Sequence, residues 1–255
     1  MKPIFKYFET TDSTNLEAKR EAHEGAAGFT VISAGEQTAG RGRSGHGWIS
    51  PEGVSVATTM LIYPNGISME HLPRLTIVAG VSVAEAVEEL YHLKTQIKWP
   101  NDVLINSKKI CGILTELEAD NGIAKNVVVG IGVNVHHKKS DFAPEIRDMA
   151  TSLDLELDGQ RASRKAVIEA IWRHFLRHYE IFQKNGGSLE GILPSYNTRL
   201  ANKDRRVRVV HQVHDFEGIA LEMDKDGKLL IRKDDGSIVA VDSGEVHVRG
   251  LYGYV

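Results

Sequence analysis

Beyond about Ala201 the sequence changes period. Short segments at 206–210, 217–222, 228–232, 237–241 and 245–248 alternate apolar with polar residues, and Asp226-Gly227 and Asp235-Gly236 stand between them as hairpin turns. A period of two maintained in runs this short is a strand signal, and five such strands in about fifty residues close into a small β-barrel. Before that point the apolar residues follow helical spacing twice. Leu72, Leu75, Val78, Ala79, Val83, Ala86, Val87 and Leu90 form one series with Pro73 near its start, and Ile168, Ile171, Trp172, Phe175, Tyr179 and Phe182 form another that ends near Gly186-Gly187. Residues 4–8, 29–33, 54–63, 96–99, 103–105, 109–118 and 126–135 read as strands, with turns at Asn106-Ser107 and Asp120-Asn121-Gly122. A short helix follows Asp12-Ser13-Thr14-Asn15, with Thr14 and Glu17 at capping-box spacing and Gly25 as its stop. The expected fold is therefore α+β: a mixed-sheet unit over residues 1–201 and a small barrel over 202–255.

At 255 residues the chain has ample length for such a pair. A net charge of −3 argues against a general nucleic-acid binder, so no DNA partner is expected. The single cysteine, Cys111, excludes an internal disulfide framework and suits a reducing compartment. It sits in an apolar stretch, where a buried and inert thiol is expected. The first residues lack the basic-then-apolar layout of a secretory leader, and no run has the ~18 apolar residues of a membrane span. The cytoplasm, with no membrane partner, is the expected location.

The loop Thr38-Ala-Gly-Arg-Gly-Arg-Ser-Gly-His-Gly-Trp48 contains a literal G-x-G-x-x-G and the glycine spacing of a P-loop. Its flanks reject both. A dinucleotide fingerprint must open a helix, whereas Pro51-Glu52-Gly53 breaks any helix and β-like sequence resumes at once; a P-loop needs Lys-Ser/Thr where His46-Gly47 stands. The loop joins two strands, and its glycines need another reason.

Lys98-Trp99-Pro100-Asn101-Asp102, Lys108 to Glu116 and Gly130-Ile131-Gly132-Val133-Asn134 are also unusual. Singly, each reads as turn chemistry, a solvated lysine pair or a close backbone approach. Together with Arg41 and Arg43 they supply cations, a carboxylate and open backbone NH groups, a set suited to an anionic, phosphate-bearing substrate.

These motifs, in this order after Ser13-Thr14-Asn15, closely resemble those of the biotin protein ligases, and the resemblance extends over the whole chain. It implies a class II synthetase-like catalytic domain of the biotin and lipoate ligase type, followed by an SH3-like barrel. It implies a cytoplasmic enzyme in which biotin and ATP, carried with Mg2+, give biotinyl-5′-AMP and pyrophosphate, and a lysine of a biotin carboxyl carrier domain then takes the biotinyl group. Biotin contacts are implied for Ser13, Thr14, Asn15, Gln37, Gly40, Arg41, Gly42, Arg43, Lys109, Gly112 and Gly132. Nucleotide contacts are implied for Arg41, Arg43, Trp48, Asn101, Asn134 and Arg249, with holding the turn as the other role of Asn101. Lys109, Arg43 and Asp102 are the implied catalytic residues, with Asp102 either a base toward the incoming lysine or its orienting partner. A closing glycine loop would shield the mixed anhydride from water.

Ser44 and His46 stand where the family loop commonly has arginine, and the chain begins directly in the catalytic region, which implies a monofunctional ligase; a homodimer remains open. A lipoate or octanoate ligase or transferase of the same fold and a non-catalytic biotin or nucleotide sensor are the alternatives. His174 and His178 have the four-residue spacing of paired helical metal ligands. Without a third ligand nearby in sequence they read as a solvated helix flank, and His136-His137 reads as a loop.

Overall fold

The computed structural model describes residues 2–45, 47–211, 215–243 and 246–250. Its elements in chain order are β1 (Ile4–Thr11), α1 (Thr14–His23), β2 (Thr30–Gln37), β3 (Ser55–Ile62), α2 (Leu75–Tyr91), β4 (Thr95–Lys98), β5 (Asp102–Ile105), β6 (Lys108–Asp120), β7 (Ile123–Asn134), α3 (Leu153–Glu156), α4 (Arg164–Lys184), α5 (Leu193–Arg199), β8 (Arg206–His211), β9 (Phe216–Met223), β10 (Leu229–Arg232), β11 (Ile238–Val241) and β12 (Val246–Gly250). The first seven strands form one mixed sheet in the order β1-β2-β3-β7-β6-β5-β4, parallel only between β1 and β2. The last five form an antiparallel sheet in the order β11-β10-β9-β8-β12. The α+β expectation is met, and the pairing of the small sheet is open-ended among the described residues.

The large sheet is covered on both faces, which explains why β3 is buried at every position and shows no alternation in sequence. Val56, Met60, Val129, Ile131 and Val133 pack with α2 and α4 on one face. On the other, Ile32, Leu61 and Val128 pack against Ala18 of α1. The side-chain period of two then places Gly130, Gly132 and Asn134 together on the α1 side. Helix α4 buries its Trp172-Phe175-Tyr179-Phe182 stripe, and Trp172 Nε1 donates to Thr58 Oγ1 at 2.9 Å.

The capping box expected at Thr14 and Glu17 does not form. Ser13 is the N-cap, and the first helical amide, Thr14 N–H, is satisfied from β2 by Gln37 Oε1 at 2.8 Å. Glu17 turns instead to Arg20. A tertiary acceptor has displaced a local one.

The two sheets share one apolar core, since Val207, Val209, Ala220, Met223, Leu229 and Ile231 join the cluster built by α2 and α4. Trp99 is the bolt between them: it is buried, its Nε1 donates to Gly227 O at 3.0 Å and its backbone N–H donates to Asn202 Oδ1 at 2.9 Å. Trp99→Ala removes a large buried ring and this N–H bond, so it is expected to cost about 3–5 kcal/mol. The fall in the denaturation midpoint measures it.

Cys111 is buried, and burial pushes its thiol pKa well up, as expected of an inert cysteine. Among the described residues no helix is long and apolar enough to cross a membrane.

Candidate active site

The floor of the main cleft is made of small residues. Gly112 of β6 faces Gly132 of β7, which faces Ala57 of β3, and Gly130 lies one pleat along. Each glycine has a specific occupant above it. A Cβ on Gly130 would lie 2.1 Å from Asn15 Oδ1, and one on Gly132 would lie 2.4 Å from the Trp48 indole, so alanine at either position would displace a buried group. The Gly-x-Gly-x-Asn motif is thus a record of close approach.

The glycine loop folds down as a short hairpin. Gln37 N–H donates to Ser50 O, Trp48 N–H donates to Gly40 O at 2.9 Å, and Arg41 bridges Gly47. A Cβ on Gly40 would meet Trp48 O at 2.3 Å. This pairing brings Trp48 over the Gly112–Gly132 pair and Arg41, Gly42 and Arg43 to the rim. Trp48 Nε1 is buried without a hydrogen-bond partner among the described residues, an uncompensated donor within the cleft. His46 lies outside the described residues, and no side-chain geometry is described for Ser44.

Lys109 reaches the cleft because β6 is irregular. In a regular strand Lys109 and Gly112, three residues apart, would point to opposite faces. The register against β5 shifts between Val103 and Leu104, a bulge that re-aims the lysine, and a Cβ on Gly112 would lie 3.2 Å from Lys109 Nζ. Lys109 Nζ pairs with Asp102 Oδ1 at 2.6 Å and lies 5.7 Å from the Trp48 ring centroid. Asn101 shares the cleft while holding the crossing of the chain: its Nδ2 donates to Ile113 O at 3.1 Å and its carbonyl accepts from Ile113 N–H at 3.0 Å.

The opposite wall is the start of α1. Ser13, Thr14, Asn15 and Gln37 line it. Asn15 commits its amide to the protein, accepting from Thr59 Oγ1 and donating to Leu114 O and to Glu116 Oε2 at 2.8 Å. Glu116 also holds Lys19 Nζ at 3.1 Å and Arg41 Nη1 at 3.2 Å. Burial raises the Glu116 pKa, but the bonds from Asn15 and Lys19 and the charges of Lys19 and Arg41 outweigh it, so the carboxyl is held below its ordinary value. Glu116 had no role in the sequence reading. Only its last place in the Lys109-x-x-Gly-Ile-Leu-x-Glu116 pattern signalled it.

Arg43 is half-buried, and burial pulls its pKa down against the opposing pull of Asp102 and Asp242. Its guanidinium donates to the Ser243 carbonyl, which ties the loop to the small sheet. The Arg249 side chain lies outside the described residues, although its backbone pairs with Arg208.

A second compartment adjoins the first across Trp48 and Lys109, lined by Asn134, His137, Phe142, Ile146 and Met149. Lys109 N–H donates to Met149 O at 2.8 Å, which pins this apolar wall to β6, and Asn134 Nδ2 donates to Thr151 O. Except for Asn134, Trp48 and Lys109, the sequence reading missed this lining. His137 is buried and stacks on Phe142 with ring centroids 5.3 Å apart. Burial lowers its pKa, with Asp141 opposing and His136 assisting. The unfolded chain therefore takes up the proton first as pH falls. The contribution of His137 to stability is complete above about pH 6.5 and is lost as pH drops through the folded value. His137→Phe is expected to flatten the fall in Tm between about pH 7 and 5; an unchanged slope would assign that fall to other groups.

One sequence expectation fails outright. His174 and His178 are buried, so the pair is not a solvated flank, and Glu85 of α2 stands against both as a third donor. The missing residue lies far away in sequence, on a helix packed across α4.

Residues 7–134 match the Biotin/lipoate A/B protein ligase family and residues 204–249 match the Biotin protein ligase C terminal domain. The chain is 36% identical over 231 residues to the bifunctional ligase/repressor BirA of Bacillus subtilis, covering 90% of this chain and 70% of that one. It is 30% identical over 244 residues to the biotin–[acetyl-CoA-carboxylase] ligase of Mycobacterium tuberculosis, covering 94% and 87%. The structure of the biotin protein ligase from Aquifex aeolicus in complex with biotin and ATP superposes with a TM-score of 0.83 at 27% identity, covering 97% of this chain and 99% of that one. With a matched catalytic region, a matched C-terminal region and relatives similar over nine-tenths of its length, this chain belongs to the biotin protein ligase family.

Proposed function

We propose that the chain activates biotin with ATP to biotinyl-5′-AMP and transfers the biotinyl group to a lysine of a biotin carboxyl carrier domain. The observation that carries this reading is the pair of compartments meeting at Lys109 and Trp48. A polar compartment walled by Ser13, Thr14, Gln37 and Arg41 suits a small ring with hydrogen-bonding edges and an acid tail. The apolar compartment walled by Trp48, Phe142, Ile146 and Met149 suits a flat base, with Asn134 at its edge. The reacting carboxylate and α-phosphate then meet at Lys109.

Both reactants are negative, so cations must cover them as they approach. Lys109 turns from Asp102 to the carboxylate and a phosphate oxygen, with Arg41 and Arg43 over the rim. A carboxylate oxygen attacks the α-phosphorus and pyrophosphate leaves with its magnesium, which belongs to the nucleotide substrate. The carrier lysine then attacks the anhydride carbonyl, AMP leaves, and the amine gives up a proton, with Asp102 as its acceptor or as the group that orients it. Gly112 and Gly132 let the ligand lie against the sheet, and Asn101 keeps β5 and β6 aligned beneath it. Gly40 and Gly42 serve the loop, and the family resemblance assigns Arg249 a contact with the nucleotide.

The same reading divides the chain at residue 201, with the small sheet bolted to the ligase unit through Trp99. The carrier domain of a biotin-dependent carboxylase is the macromolecular partner. DNA is not, since a net charge of −3 gives no general attraction to a phosphate backbone. The deciding measurement is exchange of labelled pyrophosphate into ATP with biotin, lipoate or octanoate as the acid. Biotin-dependent exchange supports the proposal, lipoate- or octanoate-dependent exchange overturns the substrate, and biotin binding without exchange overturns the chemistry.

A further inference from the structure

The helical layer behind the sheet contains a convergence of donor atoms that biotin chemistry does not use. His174 and His178 are one turn apart on α4, 7% and 6% exposed, and Glu85 faces them from α2. Glu85 Oε2 lies 3.1 Å from His174 Nδ1 and 2.8 Å from His178 Nε2, and these ligand atoms all lie within 4.8 Å of one another. His174 and Glu85 are held from outside the centre, and the Nδ1 atom of His178, the ring nitrogen turned away from it, is buried without a hydrogen-bond partner among the described residues. His174 presents Nε2 to Glu89 Oε2 at 2.8 Å, which leaves Nδ1 for the centre, and Glu85 Oε1 accepts from Ser195 Oγ of α5 at 2.9 Å, which leaves Oε2. A carboxylate behind an imidazole is the usual outer support of a metal-bound histidine.

A positive group already marks the centre. Arg177 Nη2 donates to Glu85 Oε2 and stands 3.3 Å from both His174 Nδ1 and His178 Nε2. In the tautomers that leave His174 Nδ1 and His178 Nε2 without a proton, the two N–H bonds of Nη2 face three acceptors, whereas a divalent ion accepts all three lone pairs. The Arg177 side chain is 59% exposed, so it can swing into solvent without unpacking a helix.

We propose that Glu85, His174 and His178 form a binding site for a divalent transition ion of the zinc type, with Arg177 as the built-in cation that the metal displaces. Two imidazoles and one carboxylate with an open fourth position match the preference of such an ion for mixed nitrogen and oxygen donors. Joining α2 to α4, and through Ser195 to α5, the ion would clamp the layer on which the ligase sheet rests.

The test uses full-length, tag-free protein stripped with chelator and titrated with Co2+ alone. The wild type is expected to take up one equivalent with visible d–d absorption of a low-coordinate ion, and Zn2+ is expected to abolish that absorption and raise Tm. His174→Gln and His178→Gln are expected to lose the absorption and the Tm gain while keeping pyrophosphate exchange, which shows that they remain folded. Glu89→Gln is expected to weaken binding about 10- to 100-fold through the lost outer support. Arg177→Gln, which removes the competitor, is expected to bind more tightly than the wild type. Absent absorption in the wild type, or absorption that persists in the histidine variants, overturns the site. Weaker binding by Arg177→Gln overturns the displacement.

Discussion

Lys109→Ala is expected to lower adenylate formation by roughly a hundredfold or more, the scale of losing one donor that acts in the transition state. Lys109 is shared with Trp48 between the two compartments, and its ammonium is brought there by a strand bulge and held 2.6 Å from Asp102. Removing it leaves the carboxylate and the α-phosphate facing each other without a cation between them. Biotin affinity should change much less than rate, because the walls at Ser13, Thr14 and Gln37 are untouched. Single-turnover formation of biotinyl-5′-AMP, followed by rapid quench, separates the two. An unchanged rate constant would remove Lys109 from the chemistry and shift the burden to Arg41 and Arg43.

The sequence reading was strongest where a motif recorded a local constraint. Alternation after Ala201, the Asp-Gly turns and the helical stripe from Ile168 to Phe182 are properties of neighbouring residues, and the corresponding elements appear within a few positions of expectation. Glycines at 112, 130 and 132 showed that something approaches the backbone closely. They could not show that the occupants are Trp48 and Asn15, because those partners come from elsewhere in the chain. Glu116, the bulge that turns Lys109 and the apolar lining at Phe142, Ile146 and Met149 were hidden for the same reason. The short helices α3 and α5 are too brief to establish a period. The Thr14–Glu17 pair shows the converse failure: a sound local motif lost to Gln37, a tertiary acceptor that no spacing rule can see.

Arg43→Gly is expected to let the adenylate escape. The structure ties Arg43 to the Ser243 carbonyl, so the loop that holds Trp48 over the Gly112–Gly132 pair is anchored at its tip to the small sheet. Truncation removes that charge-assisted bond, worth about 1.5–3 kcal/mol, and frees a backbone already rich in glycine. An energy of that size corresponds to roughly ten- to a hundredfold in the population of the open loop, and so in the rate at which the intermediate leaves. Lys109, Arg41 and the rest of the lining of both compartments remain, so synthesis of the mixed anhydride should survive in part while its retention fails. Free biotinyl-5′-AMP acylates any accessible amine. The variant should therefore label added albumin, whereas the wild type should label only its carrier domain. A streptavidin blot at matched pyrophosphate release reads retention apart from activity. Equal albumin labelling by the two proteins would mean that the anchor at Ser243 does not close the loop, and that shielding rests on the Trp48 indole packed against the sheet.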